Sequence, residues 1–195
     1  MTTDSHPSNL SDILPLCWQH LGNGTKDRRS GFHYPTLATV DRDGKPKSRI
    51  VILREADATQ KTLRFNADIR TSKWGEITHQ TLVSLTFYDQ PDKTQLRLEG
   101  MASLHTKDQI AQHAWDQSQR MSRVGYGAEP GPGAVIDNPE QFALPQTDAE
   151  IDLGFSHFGT IIVHVTSIEW LYLKVRGNRR ALFDLQADTA QWLVP

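Results

Sequence analysis

The stretch Ser48-Arg49-Ile50-Val51-Ile52-Leu53-Arg54 (SRIVILR) decides how the chain is read. An unbroken aliphatic run, Ile50 to Leu53, stands between two arginines. A short apolar run of this kind reads as a buried strand. Upstream, Asp41 to Gly44 (DRDG) is a turn with glycine where positive φ is needed. Before that turn, Thr36 to Val40 (TLATV) reads as a strand. The expected unit is a hairpin, with its second strand continuous from Lys45 to Arg54. Side chains alternate along a strand, so Arg49 and Arg54 fall on opposite faces. They also stand roughly 16 Å apart, at about 3.3 Å per residue, which is too far to share one phosphate.

The pattern continues outward from this hairpin. Leu63 to Ala67, Leu82 to Asp89 and Gln95 to Leu104 read as further strands, and Gly159 to Leu173 carries the longest strand signal. Leu96 and Leu98 alternate with Arg97 and Glu99, as in a half-buried antiparallel strand. ALFDL and QWLVP suit two short closing strands. Helices are expected after an N-cap at Ser11 with a stop at Gly22, from Ser72, and from Thr106, where Gln109 completes a capping box. Residues 1–10 are expected to be disordered. Gly125 to Pro145 is rich in Gly and Pro and reads as a long surface loop, part of a functional loop spanning 125–157. The fold class expected is mainly β with peripheral helices, an antiparallel barrel in a single domain over 1–195.

Composition narrows the function. The chain has 195 residues, a net charge of -2 and 23% charged residues, so no global field draws it to nucleic acid or to an anionic membrane. Basic residues cluster locally at Lys26, Arg28 and Arg29 and again at Arg176, Arg179 and Arg180, which suits anion sites or solvated loops. Cys17 is the single cysteine, sits at a core position of an amphipathic helix and excludes an internal disulfide. The 8 histidines form no metal-ligand spacing, so no metal is expected. No apolar run approaches the roughly 20 residues of a membrane span, and the N-terminus lacks a signal-peptide pattern. A cytoplasmic location is expected.

Catalytic signatures are sparse. GxSxG and GxxxxGK[ST] are both absent, and GYGAEPGPG lacks the strand and helix that flank a phosphate loop. No residue reads as an obligate acid or base. The segment Asn66 to Ile77 (NADIRTSKWGEI) is different. A strand ends there, and Arg70, Thr71, Ser72 and Lys73 arrive as a helix begins. Free backbone N–H groups and the helix dipole favour an anion at such a place. The same residues equally suit a capped, solvated helix start. If strands two and three are hairpin neighbours, Arg49 and Lys73 converge near one end of the sheet. Charge at one end and an apolar strand beyond it would suit an elongated phosphorylated cofactor with a flat ring. Alternatively, both arginines flank a buried strand and pair with Asp or Glu.

At these residues the sequence resembles the pyridoxamine 5'-phosphate oxidase-like FMN-binding split-barrel family. RIVILR looks like its R-x-V-L-L-K strand, and FNADIRTSK looks like its F-x-T-D-x-R-S-x-K segment. QLRLEG resembles R-Q-V-R-V-E-G, and SRVGYGAEPGPGAVI is similar to the S-x-x-G-x-x-A-S-P-Q-S-x-V-I loop. EWLYLKVRGNRR followed by WLVP resembles the closing W…R…W…P pattern. The resemblance implies a homodimer of split barrels with FMN at the subunit interface. Arg49 and Lys73 would hold the FMN phosphate with Thr71 and Ser72. The strand Ile50, Val51, Ile52, Leu53 and Arg54 would line the flavin, together with Asn66 and Ala67. Gln95 would reach the ring, and Trp170 and Arg180 would come from the partner. Arg54, Ser122, Arg176 and Asn178 would face a small-molecule substrate.

Departures from the pattern concentrate at the substrate end. Arg176, Gly177 and Asn178 replace an R-x-H segment, so the histidine is missing. A tyrosine and an arginine of the vitamin B6 pocket fall on Ala114 and Ser118, and Arg54 stands where the family has lysine. Gly131 and Pro132 replace a Q-S pair. The expectation is an FMN-dependent oxidoreductase acting on an unidentified small molecule. An authentic pyridoxine or pyridoxamine phosphate oxidase and a flavin- or haem-binding protein without turnover remain the alternatives.

Overall fold

The structure, a computed structural model, describes residues 7–174 and 177–195. It contains nine strands and five α-helices among the described residues. The SRIVILR stretch is not one strand. Pro46–Ile50 forms β2 and Leu53–Asp57 forms β3, with Val51 and Ile52 between them. β2 pairs antiparallel with β1 (Thr36–Val40), Arg49 opposite Leu37. β3 pairs with β4 (Thr62–Asp68) instead. β5 (Leu82–Asp89), β6 (Thr94–His105) and β7 (Phe158–Tyr172) complete the path β2-β1-β5-β6-β7-β4-β3. β2 and β3 are consecutive in sequence yet stand at opposite ends of that path. Between them the amides of Val51 and Leu53 donate to the carbonyls of Pro35 and His33 at 2.9 and 3.0 Å. The sheet therefore curls round without closing its ladder, and the architecture is a mainly β, antiparallel split barrel with peripheral helices.

The aliphatic run is only partly core. Val51 and Leu53 are buried, but Ile50 is 68% exposed on the outer face of β2. The break explains this: the run serves two strands with different inward faces.

β7 is long because it serves two partners. Its first half, Phe158 to His164, pairs with β4, and Ser167 to Tyr172 pairs with β8 (Arg179–Asp184). β9 (Thr189–Leu193) extends β8. The switch falls at Thr166, an extra residue where the register with β6 shifts between Glu99 and Gly100. Such a bulge bends the strand pair locally. Gly100, the last residue of QLRLEG, packs against β7 there. A Cβ at this position would lie 2.5 Å from the His164 carbonyl oxygen and 2.7 Å from Val163 Cγ1. Gly100→Ala is expected to lower stability by about 1–3 kcal/mol, because the obstacle is backbone that cannot rotate away. Urea midpoints of the two proteins measure this.

The inward faces build one core, with Leu37, Leu53, Phe65, Phe87, Leu98, Ile161 and Trp170 all fully buried. α1 (Leu10–Gly24) covers the sheet with Ile13, Cys17 and Leu21. It starts earlier and ends later than its sequence signals imply: Asn9, not Ser11, is the N-cap, and the helix runs past Gly22. Leu10 is thus helical rather than disordered, and residues 1–6 lie outside the described residues. Burial pushes the Cys17 thiol pKa up, consistent with an inert core position.

α2 (Ser72–His79) follows β4, and α3 (Gln109–Asp116) follows β6. The N-cap of α3 is Asp108, whose carboxylate accepts from the Ala111 amide at 2.8 Å. Thr106 donates to the Phe158 carbonyl instead, so it is no cap. The long segment after α3 carries structure of its own: α4 (Arg120–Arg123) and α5 (Asp148–Leu153), the latter opened by a Thr147–Glu150 capping box. That box, T-D-A-E, was legible as a start signal within the region read as loop. Trp115, Tyr126, Phe155 and Phe158 form a second aromatic cluster beneath this segment.

Candidate functional site

The candidate residues of the sequence fall into three places on the chain. The first lies where β1, β2 and α2 meet. Arg49 projects from the inner side of β2 and donates through Nη2 to Glu76 Oε2 at 2.6 Å and through Nη1 to Thr39 Oγ1. Thr39 donates in turn to Glu76 Oε2 at 2.5 Å. Burial pushes the Glu76 carboxyl up, but hydrogen bonds from Thr39, Arg49 and Ser72 outweigh it and hold the pKa below the usual carboxylate value. Glu76 and Thr39 carried no sequence signal. A carboxylate in the middle of a short helix is ordinary, and only the fold buries this one.

Lys73 stands beside this group. It donates to Thr71 Oγ1 at 3.0 Å and has no ion pair among the described residues. Burial lowers its pKa, and the like charge of Arg49 adds to the shift. Thr71 is the N-cap of α2, yet its hydroxyl turns back to the Asp68 carbonyl at 2.6 Å and does not cap the helix. The first amides of α2 thus lack a side-chain cap, and Ser72 is exposed at the helix start. Two cations, two hydroxyls and a helix N-terminus meet here, a donor set suited to an oxyanion such as a phosphate.

The second place is a cavity of about 300 Å³ on the other side of β4, lined by Arg54, Asn66 and Ser122 among others. Arg49 and Arg54 do separate, although through the break at Val51–Ile52 rather than by alternation along a regular strand. Asn66 donates to Ser118 Oγ at 3.3 Å, so it serves this cavity and not the α2 cluster. Ala67 is buried at the following, opposite-facing position. The amides of Val51 and Leu53 are already engaged by Pro35 and His33 and cannot donate to a ligand.

The third place is the outer face of the sheet. Gln95 is the cross-strand partner of Leu171, and Leu171 is the partner of Arg180. One row of the same face therefore holds Gln95 and Arg180, with Arg180 donating to Glu169 at 2.7 Å. Trp170 is one residue away and points the opposite way. It is fully buried in the core of the chain beside Ala181, and as placed it offers no surface to a ligand outside that core. Strand parity corrects that expectation. Asn178 is exposed and accepts from the Lys174 amide at 3.0 Å, and Arg176 lies outside the described residues.

The long segment from α4 is fastened to the α2 end of the sheet by Arg70. Its guanidinium holds Asp68 at 2.7 Å, Glu129 at 2.9 Å and the carbonyls of Ala128 and Tyr126 at 3.0 and 3.2 Å. Gly131 lies against the same side chain. Arg70→Ala is expected to expose residues 128–146 to limited proteolysis within a fold whose core resists it, read by mass spectrometry of the fragments.

Residues 16–106 match the family model described as "Pyridoxamine 5'-phosphate oxidase, FMN-binding domain". Most of the first and third clusters' strands and all of α2 lie inside that match. Over those residues the chain is similar to the pyridoxamine 5'-phosphate oxidase-like family. Among curated relatives, the pyridoxine/pyridoxamine 5'-phosphate oxidase of Leptospira interrogans is 27% identical over 162 residues, covering 80% of this chain and 74% of its own. A second such oxidase, from Arabidopsis thaliana, is 24% identical over 87% of this chain and 89% of its own. Two solved structures share the fold. The pyridoxamine 5'-phosphate oxidase-related, FMN-binding protein from Nostoc punctiforme has a TM-score of 0.71 and 20% identity, covering 98% of this chain and 100% of that one. PhzG from Burkholderia lata, in complex with tetrahydrophenazine-1-carboxylic acid, has a TM-score of 0.70 and 17% identity, covering 98% and 95%. Both matches extend over nearly the whole chain. No helix among the described residues is long and apolar enough to cross a membrane.

Proposed function

We propose that this chain is an FMN-dependent oxidoreductase that works on a small molecule as a homodimer. The observation that carries this reading is the α2 cluster: Lys73 without an ion pair among the described residues, Arg49 held by Glu76 and Thr39, and uncapped helix amides. Arg49, Thr71, Ser72 and Lys73 would hold the phosphate of FMN. Bound there, FMN would supply hydride or electron transfer at its ring system, and the protein would position and tune it. Glu76 keeps the Arg49 fork oriented, and the charge of an arginine does not titrate away near neutral pH.

The dimer is supported by the outer face of the sheet. Ile50, Val40, Leu82, Tyr88 and Met101 are all exposed there, with Leu82 directly opposite Met101. Several exposed apolar side chains on one sheet face, the Leu82–Met101 pair among them, support an interface there. Gln95 and Arg180 lie on the same face, so a second subunit would bring them to its partner's flavin, as the two-subunit arrangement requires. A cytoplasmic location fits the lone buried thiol.

Substrate identity is the finer question. The curated relatives are named as pyridoxine/pyridoxamine 5'-phosphate oxidases, and the PhzG complex contains a carboxylic acid. Ala114 and Ser118 line the cavity where the vitamin B6 pocket has a tyrosine and an arginine. Little or no pyridoxal phosphate is therefore expected from pyridoxamine or pyridoxine phosphate. The primary test is flavin itself. Purified protein, or protein incubated with FMN and desalted, should be yellow and release FMN on denaturation. A colourless chain that takes up none would overturn the proposal. Bound FMN that no nicotinamide donor or substrate reduces would favour a binding protein without turnover.

A further inference from the structure

α1 carries two apolar rows, and the core covers only one of them. Ile13, Cys17 and Leu21 repeat every fourth residue and are buried. Leu10, Leu14 and Trp18 repeat at the same spacing, further round the helix, and are only half-buried. Phe183 of β8, Leu185 just after it and Ala190 of β9 form the facing wall. Between the two walls runs a groove of about 740 Å³, whose lining Ala58 and Lys61 of the β3–β4 turn complete.

The lining is chemically one-sided. Apolar side chains make most of it, Lys61 is its single charged group, and it contains no carboxylate. Lys61 donates through Nζ to the Leu185 carbonyl at 2.9 Å, which holds the ammonium at the groove. An ammonium has three donors, and Lys61 makes no ion pair and no second hydrogen bond among the described residues. Two donors therefore remain for a ligand. Apolar walls favour a tail that leaves water, and a single cation beside them favours a monoanionic head.

Size separates a small molecule from a protein partner. Small-ligand pockets run from about 300 to 1,000 Å³, whereas a stable protein interface takes roughly 20–30 residues a side. Eleven residues line this groove. Residues 1–6, MTTDSH, hold one apolar side chain and supply no tail for it.

We propose that this groove binds a single aliphatic carboxylate, its tail between α1 and the β8–β9 hairpin and its head group on Lys61. The site is separate from the α2 cluster. Lys61 precedes β4 and α2 follows it, which sets them on the order of 20 Å apart at about 3.3 Å per strand residue. No residue is shared with the cavity beside β4. The assignment does not rest on FMN binding.

The test is calorimetric titration of the full chain, with saturating FMN present, using decanoate below its micelle-forming concentration and, separately, butyrate. Decanoate should bind at one site per chain. Butyrate has the same head and should bind on the order of a hundredfold or more weakly, because it lacks most of the buried methylenes. Lys61→Gln, at an exposed position, should weaken decanoate binding on the order of tenfold, the loss of a charged hydrogen bond. Ala190→Trp puts an indole into the groove from an exposed strand position, where aromatic residues are favoured, and should abolish binding. Lys107→Gln removes the same charge from an exposed lysine with a matching positive φ, 57° against 54°, and should leave binding unchanged.

Wild-type protein that binds no decanoate, or binds butyrate as tightly, overturns the proposal. Either groove variant binding as wild type does, or Lys107→Gln weakening binding as much as Lys61→Gln, overturns it too. So does self-association in sedimentation that Ala190→Trp abolishes in a chain that binds no decanoate, because the groove is then a contact between copies. A chain that takes up no FMN fails the flavin reading alone and leaves this titration readable.

Discussion

Arg49→Ala combined with Lys73→Ala should weaken FMN binding by about 10²–10⁴-fold, from two charged hydrogen bonds at roughly 1.5–3 kcal/mol each. The two side chains meet at the N-terminus of α2, and Lys73 already bears the cost of burial near Arg49. A phosphate dianion would relieve that repulsion, so both groups gain from its arrival. The single variants should not add up to the double, because the two cations share one partner. Fluorescence titration with FMN measures all four proteins. Equal affinity in the wild type and the double variant would remove the cluster from cofactor binding. Urea unfolding guards against misreading a folding defect.

Glu76→Ala should cost about 3 kcal/mol of stability, the low end for breaking a buried pair. Glu76 is 7% exposed and Arg49 23%, so water relieves the stranded guanidinium only in part. Thr39 loses its acceptor in the same step. The effect carries a pH signature. The Glu76 pKa is depressed in the folded state, so the unfolded chain binds the proton more tightly. Its contribution is fully present above the ordinary glutamate value, about 4.3, and fades as pH falls through the folded value. Urea midpoints of wild type and Glu76→Ala should converge on acidification. A gap that stays constant from neutral pH down through that range would show that the carboxylate's charge is not what matters.

Much of the barrel was legible because its strands are half-buried. Thr36 to Val40 and Leu82 to Asp89 begin and end where alternation and turn residues place them. The helix at Ser72 begins where its strand-end and hydroxyl signals indicated. SRIVILR was misread for a physical reason. An aliphatic run shows that a segment is apolar, but a change of partner strand in its middle leaves the composition untouched. The α5 capping box was missed because Gly and Pro on its N-terminal side dominate the segment. The resemblance puts Trp170 at a partner's flavin, whereas in this chain the register turns Leu171 outward and the indole inward.

Taken by itself, the sequence carried the resemblance to the family, most of the antiparallel strands and the presence of two cationic groups, because motifs and period-two patterns are local. Tertiary structure alone decided which cation answers to which partner. It joins Arg49 to Glu76, 27 residues away, and leaves Arg54, five residues on, in a cavity with Lys26 and Arg28 and no carboxylate. The reason is that a charge's energy depends on what the fold brings within a few ångströms of it, and that distance is not written in the spacing of residues along the chain.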